Sequence, residues 1–202
     1  MQTDKEWWSA LKDGQEEALA HIYTTHIDDL LQYGQRFSQD QSLVEDCIQE
    51  LFVQLWKKRS GLGDAISIRA YLFVALRRSI IRAVNKKMKY TSNRSPEDYD
   101  FQAELAIEDM IIAEEMSREQ SEELAVAFAE LSRRQREVLY LRFYQELEYE
   151  DICEIMDLGY QSVRNLVSAA INRLRSYLEL IILICYFFMK KAVQNGPFDL
   201  FL

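Results

Sequence analysis

Residues 68–88 read IRAYLFVALRRSIIRAVNKKM, and this stretch decides the fold class. Leu72, Leu76, Ile80 and Val84 recur every fourth residue, which predicts a helix from about Ile68 to Met88 with one buried apolar stripe. Arg78, Arg82 and Lys86 each lie two residues beyond one of the last three, about 200° around the cylinder. One face of this helix is built for a core and the opposite face for something anionic.

The same period extends outward in both directions. Leu19, Ile22/Tyr23, Ile27, Leu30, Tyr33 and Phe37 predict a helix over 16–37. Val44, Cys47, Ile48, Leu51 and Leu55 predict another, with Ser42 and Glu45 placed as its capping box. Ser60-Gly61-Leu62-Gly63-Asp64 reads as a loop, and Thr91 to Asp100, with Pro96, as a linker. The acidic stretch from Ala103 to about Glu123 is low in aromatics. A second helical domain opens near Glu122 with Leu124, Ala127, Phe128 and Leu131, and Ser132 is placed as the N-cap of a helix over 135–144. Helices over 148–156 and 160–178 follow, separated by Asp157-Leu158-Gly159. Ile152, Ile155 and Met156 are expected to pack against Val163, Leu166, Val167, Ala170 and Leu174. Two helices joined by a short turn containing glycine form a helix-turn-helix layout. The fold class expected is therefore all-α, two small helical domains joined by an acidic linker: 1–90, linker 91–120, 121–178, and an apolar tail over 179–202.

Composition agrees. Six glycines and two prolines in 202 residues, against a usual share of roughly 12% for the pair, leave too few turn residues for an all-β fold. An apolar content of 49% excludes wholesale disorder. Cys47, Cys153 and Cys185 show no paired spacing, which argues against a disulfide framework or zinc knuckle and fits a reducing cytoplasm. His21 and His26, five apart, point to different helix faces. No nucleophile, phosphate-loop or metal motif occurs, so no enzyme, cofactor or metal is expected. The amino terminus has no apolar signal core, so nothing suggests export. The net charge of −9 conceals blocks: residues 1–56 carry −8, 57–94 carry +10, 95–130 carry −11, and the remainder is neutral. A localised +10 segment reads as the electrostatic footprint of a nucleic-acid binder, with an ordinary solvated helix face as the alternative.

The run Val44-Glu45-Asp46-Cys47-Ile48-Gln49-Glu50-Leu51-Phe52, with Leu55-Trp56-Lys57-Lys58-Arg59, resembles region 2.2 of bacterial RNA polymerase sigma factors. Residues 69–82 resemble regions 2.3–2.4. Leu131-Ser132-Arg133-Arg134-Gln135-Arg136-Glu137-Val138-Leu139 and the helix-turn-helix after it resemble region 4. Order, spacing and size are similar to the extracytoplasmic-function (ECF) group, over roughly residues 15–178.

That resemblance implies a factor that binds core RNA polymerase, through the β′ clamp helices and the β flap, and directs it to promoter DNA. Asp46, Gln49, Glu50 and Gln54, on one polar strip, are the implied polymerase contacts. Trp56 suits core or interface equally. Arg69, Tyr71, Arg77, Arg78, Arg82 and Lys86 are the implied −10 contacts, a positively charged, aromatic-bearing surface for unstacked bases; Tyr71 serves there or in the core. The implied −35 contacts are Gln161, Ser162, Arg164, Asn165 and Ser168. Here the chain departs from the family pattern. Leu166 and Ala169 stand where further basic residues are expected, and Glu148, Glu150, Asp151, Glu154 and Asp157 precede the helix, so stand-alone −35 binding is expected to be weak.

The acidic connector fits either a segment mimicking nucleic acid in the polymerase cleft or a solvated tether. Leu180–Met189 is ten consecutive apolar residues, half of what a bilayer span needs. With Phe198–Leu202 it is read as a surface docking on the chain itself or on a partner, an anti-sigma factor or a DNA-targeting recruiter; a membrane-surface anchor is the alternative. The competing function classes are a helix-turn-helix regulator that never joins polymerase and an antagonist that mimics a sigma factor.

Overall fold

The computed structural model describes residues 3–63, 67–89, 101–102 and 126–176, with side chains up to 87 in the second of these segments. All the regular elements in these residues are helical. The linker expected over 91–120, apart from 101–102, and the tail expected over 179–202 lie outside them.

Helix α1 (Asp4–Lys12) starts on Thr3, whose side chain accepts from the Glu6 amide while the Glu6 carboxylate accepts from the Thr3 amide. Gly14, at φ +83°, takes the left-handed conformation that turns the chain into α2 (Glu16–Gln35). Helix α3 (Gln41–Lys58) is capped by Asp40, whose carboxylate accepts from the Leu43 amide. This corrects the expected Ser42/Glu45 box. The aspartate sits one residue before the helix, where its oxygen reaches the third amide, and Lys87 pairs with it from α4. A 3-10 turn (Arg59–Gly61) follows, then α4 (Ile68–Lys89).

Helices α2, α3 and α4 pack on one another around Leu30, Tyr33, Ile48, Leu55, Leu72, Phe73, Leu76 and Ile80, with α1 laid against α2. Each fully buried aliphatic or aromatic side chain stabilises the core by roughly 1.5–3 kcal/mol. Gly34 sets the α2–α3 approach. A Cβ there would stand 2.5 Å from Val44 Cγ1, so alanine forces the helices apart, at about 1–3 kcal/mol.

The second domain begins with a helical segment at 126–129, then α5 (Arg133–Leu139), capped by Ser132 in a reciprocal pair with Gln135. The single helix expected over 135–144 is corrected: from Tyr140 to Tyr144 the chain winds as a π-turn, with the Gln145 amide bonding back to the Tyr140 carbonyl. Helix α6 (Tyr149–Met156) and helix α7 over 160–176 complete the helix-turn-helix. Ile152, Ile155, Met156, Val163, Val167 and Ala170 are buried in it, as expected, with Leu166 and Leu174 half-buried. The left-handed residue of the turn is Asp157 (φ 54°), whereas Gly159 has open space where a side chain would go.

Helix α6 packs against α4, which brings the two domains into one body. The Tyr33 ring lies 4.8 Å from Phe73, 5.1 Å from Phe37, 6.0 Å from Tyr140 and 6.3 Å from Phe101. Phe101, the connector's described aromatic, is 0% exposed at this seam.

Candidate polymerase and nucleic-acid surfaces

The outer face of α3 carries Asp46, Gln49, Glu50 and Val53, all exposed, with Gln49 and Glu50 each three or four residues from both Asp46 and Val53. Gln54 is half-buried and its amide donates to Glu50 Oε1 at 2.7 Å, so the implied polymerase strip is a continuous polar ridge with an apolar member. Tyr23, also exposed, lies edge-on to Phe52 at 5.0 Å and extends the apolar part. An apolar centre with a polar rim is the composition of a protein-docking patch. Trp56 is half-buried, with the Arg59 guanidinium 4.1 Å above its ring.

The implied −10 residues on α4 fall into two groups. Arg78, Arg82 and Lys86 stand exposed in a row along the helix, and Arg82 Nε donates to the Arg78 carbonyl at 2.9 Å. Lys86 and Asp46 line one open cavity of about 480 Å³, where the basic row of α4 meets the acidic strip of α3. Arg69 and Arg77 point instead into the seam between the domains. Arg77 Nε donates to Glu137 Oε1 at 2.7 Å and Nη2 to Oε2 at 3.1 Å. Tyr33 also donates to Glu137 Oε1, at 2.7 Å. Arg69 donates to the Gln145 carbonyl at 2.8 Å and to the Gln145 side-chain oxygen, and pairs with Asp29 at 2.9 Å. Spacing along α4 showed the basic face but not this division, because the partners lie 60 and 76 residues away.

Tyr71 is 36% exposed, its ring edge-on to Trp8 at 5.0 Å, and burial pushes its phenol up. Trp8 Nε1 donates to the Gly63 carbonyl at 2.9 Å. Helix α1 therefore braces the loop that enters α4, a role that nothing in the pattern of residues 1–12 signalled. On the same side, the Trp7 ring stacks on His21 at 4.0 Å, so that histidine is a packing partner. His26 is half-buried and its pKa lies below the ordinary 6.5, by desolvation first, with Asp4 opposing and Arg69 assisting.

In the helix-turn-helix, Gln161, Ser162, Arg164, Asn165 and Ser168 are all exposed on one side of α7, and Gln161 donates to Asn165 at 2.9 Å. The acids ahead of them are crowded: burial, then Glu154, Glu148 and Glu150, push the Asp151 carboxyl up. Burial also raises the Cys153 thiol. At the seam, burial drives the Tyr140 phenol up to about 12, although Gln145 donates to it at 2.9 Å. Among the described residues no group of His, Cys, Asp and Glu could hold a metal ion, and no helix is long and apolar enough to cross a membrane.

Two family descriptions match the chain: Sigma-70 region 2 over residues 22–90 and Sigma-70, region 4 over residues 127–176. Among solved structures, the chain is similar to CnrH in complex with the cytosolic domain of CnrY. That match has 17% identity and a TM-score of 0.58 over 88% of this chain and 97% of that one. It is also similar to the sigma factor RpoE in complex with the anti-sigma factor NepR from Bartonella quintana. There the identity is 21% and the TM-score 0.53, over 83% and 98% of the two chains. At these identities the likeness is one of fold. A comparison with curated proteins found no match. Regions 2 and 4 occur in that order on separate helical units and together span more than half of the sequence. The chain belongs to the sigma-70 family of transcription initiation factors.

Proposed function

We propose that this chain is an ECF-type sigma factor: it binds core RNA polymerase, brings it to promoters and helps to melt the −10 region, with no chemistry of its own. The observation that carries the reading is the juxtaposition, on one compact domain, of the Asp46–Gln49–Glu50–Val53 ridge on α3 and the exposed Arg78–Arg82–Lys86 row on α4. The first suits a basic protein partner such as the β′ clamp helices. The second suits the backbone of a single strand held open. Helix α7 contributes the −35 contacts from Gln161, Ser162, Arg164, Asn165 and Ser168, and polymerase docking, including that of the second domain on the β flap, compensates for its few positive charges through effective concentration.

An anti-sigma factor is the regulatory partner this reading favours, because a sigma factor of similar fold is held in complex with an anti-sigma factor. Acting on polymerase and promoter, the factor works in the bacterial cytoplasm. The test is gel filtration of the purified chain with core polymerase, followed by Glu50→Lys in the same assay. Co-elution that the substitution weakens is the expected result. A chain that binds promoter duplex while never joining core polymerase is instead a helix-turn-helix regulator.

A further inference from the structure

The seam between the domains is made of groups that would otherwise face solvent or nucleic acid. Glu137 is 0% exposed and takes both nitrogens of the Arg77 fork together with the Tyr33 hydroxyl. Gln145 offers Arg69 two oxygens, one from the backbone and one from the side chain. Phe101 is buried against the rings of Tyr33, Phe37 and Tyr140. Its carbonyl accepts from Arg136 of the second domain at 2.8 Å, and the neighbouring Gln102 amide donates to the Arg36 carbonyl of the first, also at 2.8 Å. Residues 101–102 are thus structural members of the seam.

A carboxylate presented edge-on to a guanidinium offers the same pair of acceptors as a phosphate. An arginine whose fork is closed on Glu137 cannot clamp a phosphate at the same time. We propose that the Glu137–Gln145 face of the second domain is an internal competitor for the DNA face of α4. It holds the free chain closed with Arg69 and Arg77 withheld, and leaves Arg78, Arg82 and Lys86 exposed for first encounter. Engagement of nucleic acid by the basic face then has two stages, contact by the exposed row followed by release of the paired arginines as the domains part. The competition rests on the reading of α4 as a DNA face, whereas the closure rests on the seam alone.

The test uses the full chain with Glu137→Gln, which keeps the shape and removes the charge, and separately with Phe101→Ser, which alters neither domain's own helices. Small-angle X-ray scattering reads the separation of the domains, and amide hydrogen exchange reads the seam helices over 68–84 and 133–147. Fluorescence anisotropy reads the affinity for a labelled mixed-sequence single-stranded 20-mer. Both variants are expected to have a larger radius of gyration than wild type and seam exchange faster by about tenfold or more, with protection in α3 over 44–55, which packs within the first domain, unchanged. They are expected to bind the oligonucleotide several-fold more tightly. Wild-type dimensions and wild-type seam protection in both variants would overturn the closure. Opened variants with unchanged affinity, while Arg78→Ala/Arg82→Ala weakens binding, would overturn the competition and leave the DNA reading of α4 standing. If Arg78→Ala/Arg82→Ala binds as tightly as wild type, the DNA reading itself fails and the competition with it.

Discussion

Arg78 and Arg82 are one turn apart on α4, exposed and clear of the seam, so their joint replacement by alanine isolates one contribution to DNA binding. Exposed arginines add little to stability, and the double variant is expected to unfold within about 0.5 kcal/mol of wild type. Each phosphate neutralised on a single strand contributes about 0.7 to the slope of log affinity against log salt. Two lost contacts therefore make the slope shallower by about 1.4. Between 50 and 200 mM salt, a fourfold step, wild-type affinity for a −10 non-template strand falls about sevenfold further than that of the variant. Anisotropy titrations with the factor bound to core polymerase measure both slopes, and binding to core polymerase itself is expected to be unchanged. Equal slopes, with the variant folded and core-bound, would refute the assignment of the exposed row to DNA.

Reversal of charge at Glu50, by Glu50→Arg, places a cation where the α3 ridge meets a basic partner and is expected to weaken core binding by an order of magnitude or more, read by competition against wild type. Neutralising the exposed Glu150 and Glu154 together removes repulsion ahead of α7, so duplex DNA binding by the full chain is expected to strengthen; an unchanged affinity means that the acids do not face the backbone. His26 has a lowered pKa in the fold, so its stabilising contribution is complete above pH 6.5 and is lost as pH falls from 6.5 towards the folded value. Melting curves between pH 7.5 and 5 are expected to fall less steeply for His26→Gln than for wild type, and parallel curves would show that the desolvation of this imidazole is without consequence.

What could be read from the residues was what repeats locally. The apolar stripe Leu72–Leu76–Ile80–Val84 is buried as its period required, and Arg78, Arg82 and Lys86 are exposed opposite it. Ser132 caps α5 because a short hydroxyl three residues before Gln135 satisfies its amide directly. The first-domain cap is Asp40 and not the expected Ser42, because Asp40 stands just ahead of the first helical residue, where its carboxylate reaches the Leu43 amide. The π-turn at 140–144 left no mark on the apolar period, since its cause is tertiary: it belongs to a seam where Tyr140 stacks on Tyr33 and Gln145 meets Arg69. Phe101 stands amid acidic residues with no periodic neighbour, so its burial was not legible. Glu137 lies inside a motif that resembles region 4, and its burial was not legible because the Tyr33 hydroxyl that reaches it lies 104 positions away.

Whether this chain turns core RNA polymerase into an initiating enzyme is decided by run-off transcription from genomic promoter fragments, with core polymerase alone and with the purified chain added. Discrete transcripts are expected that appear only with the chain and are lost with Glu50→Arg. Transcripts absent from every fragment, under conditions where another sigma factor directs initiation by the same core polymerase, would contradict it.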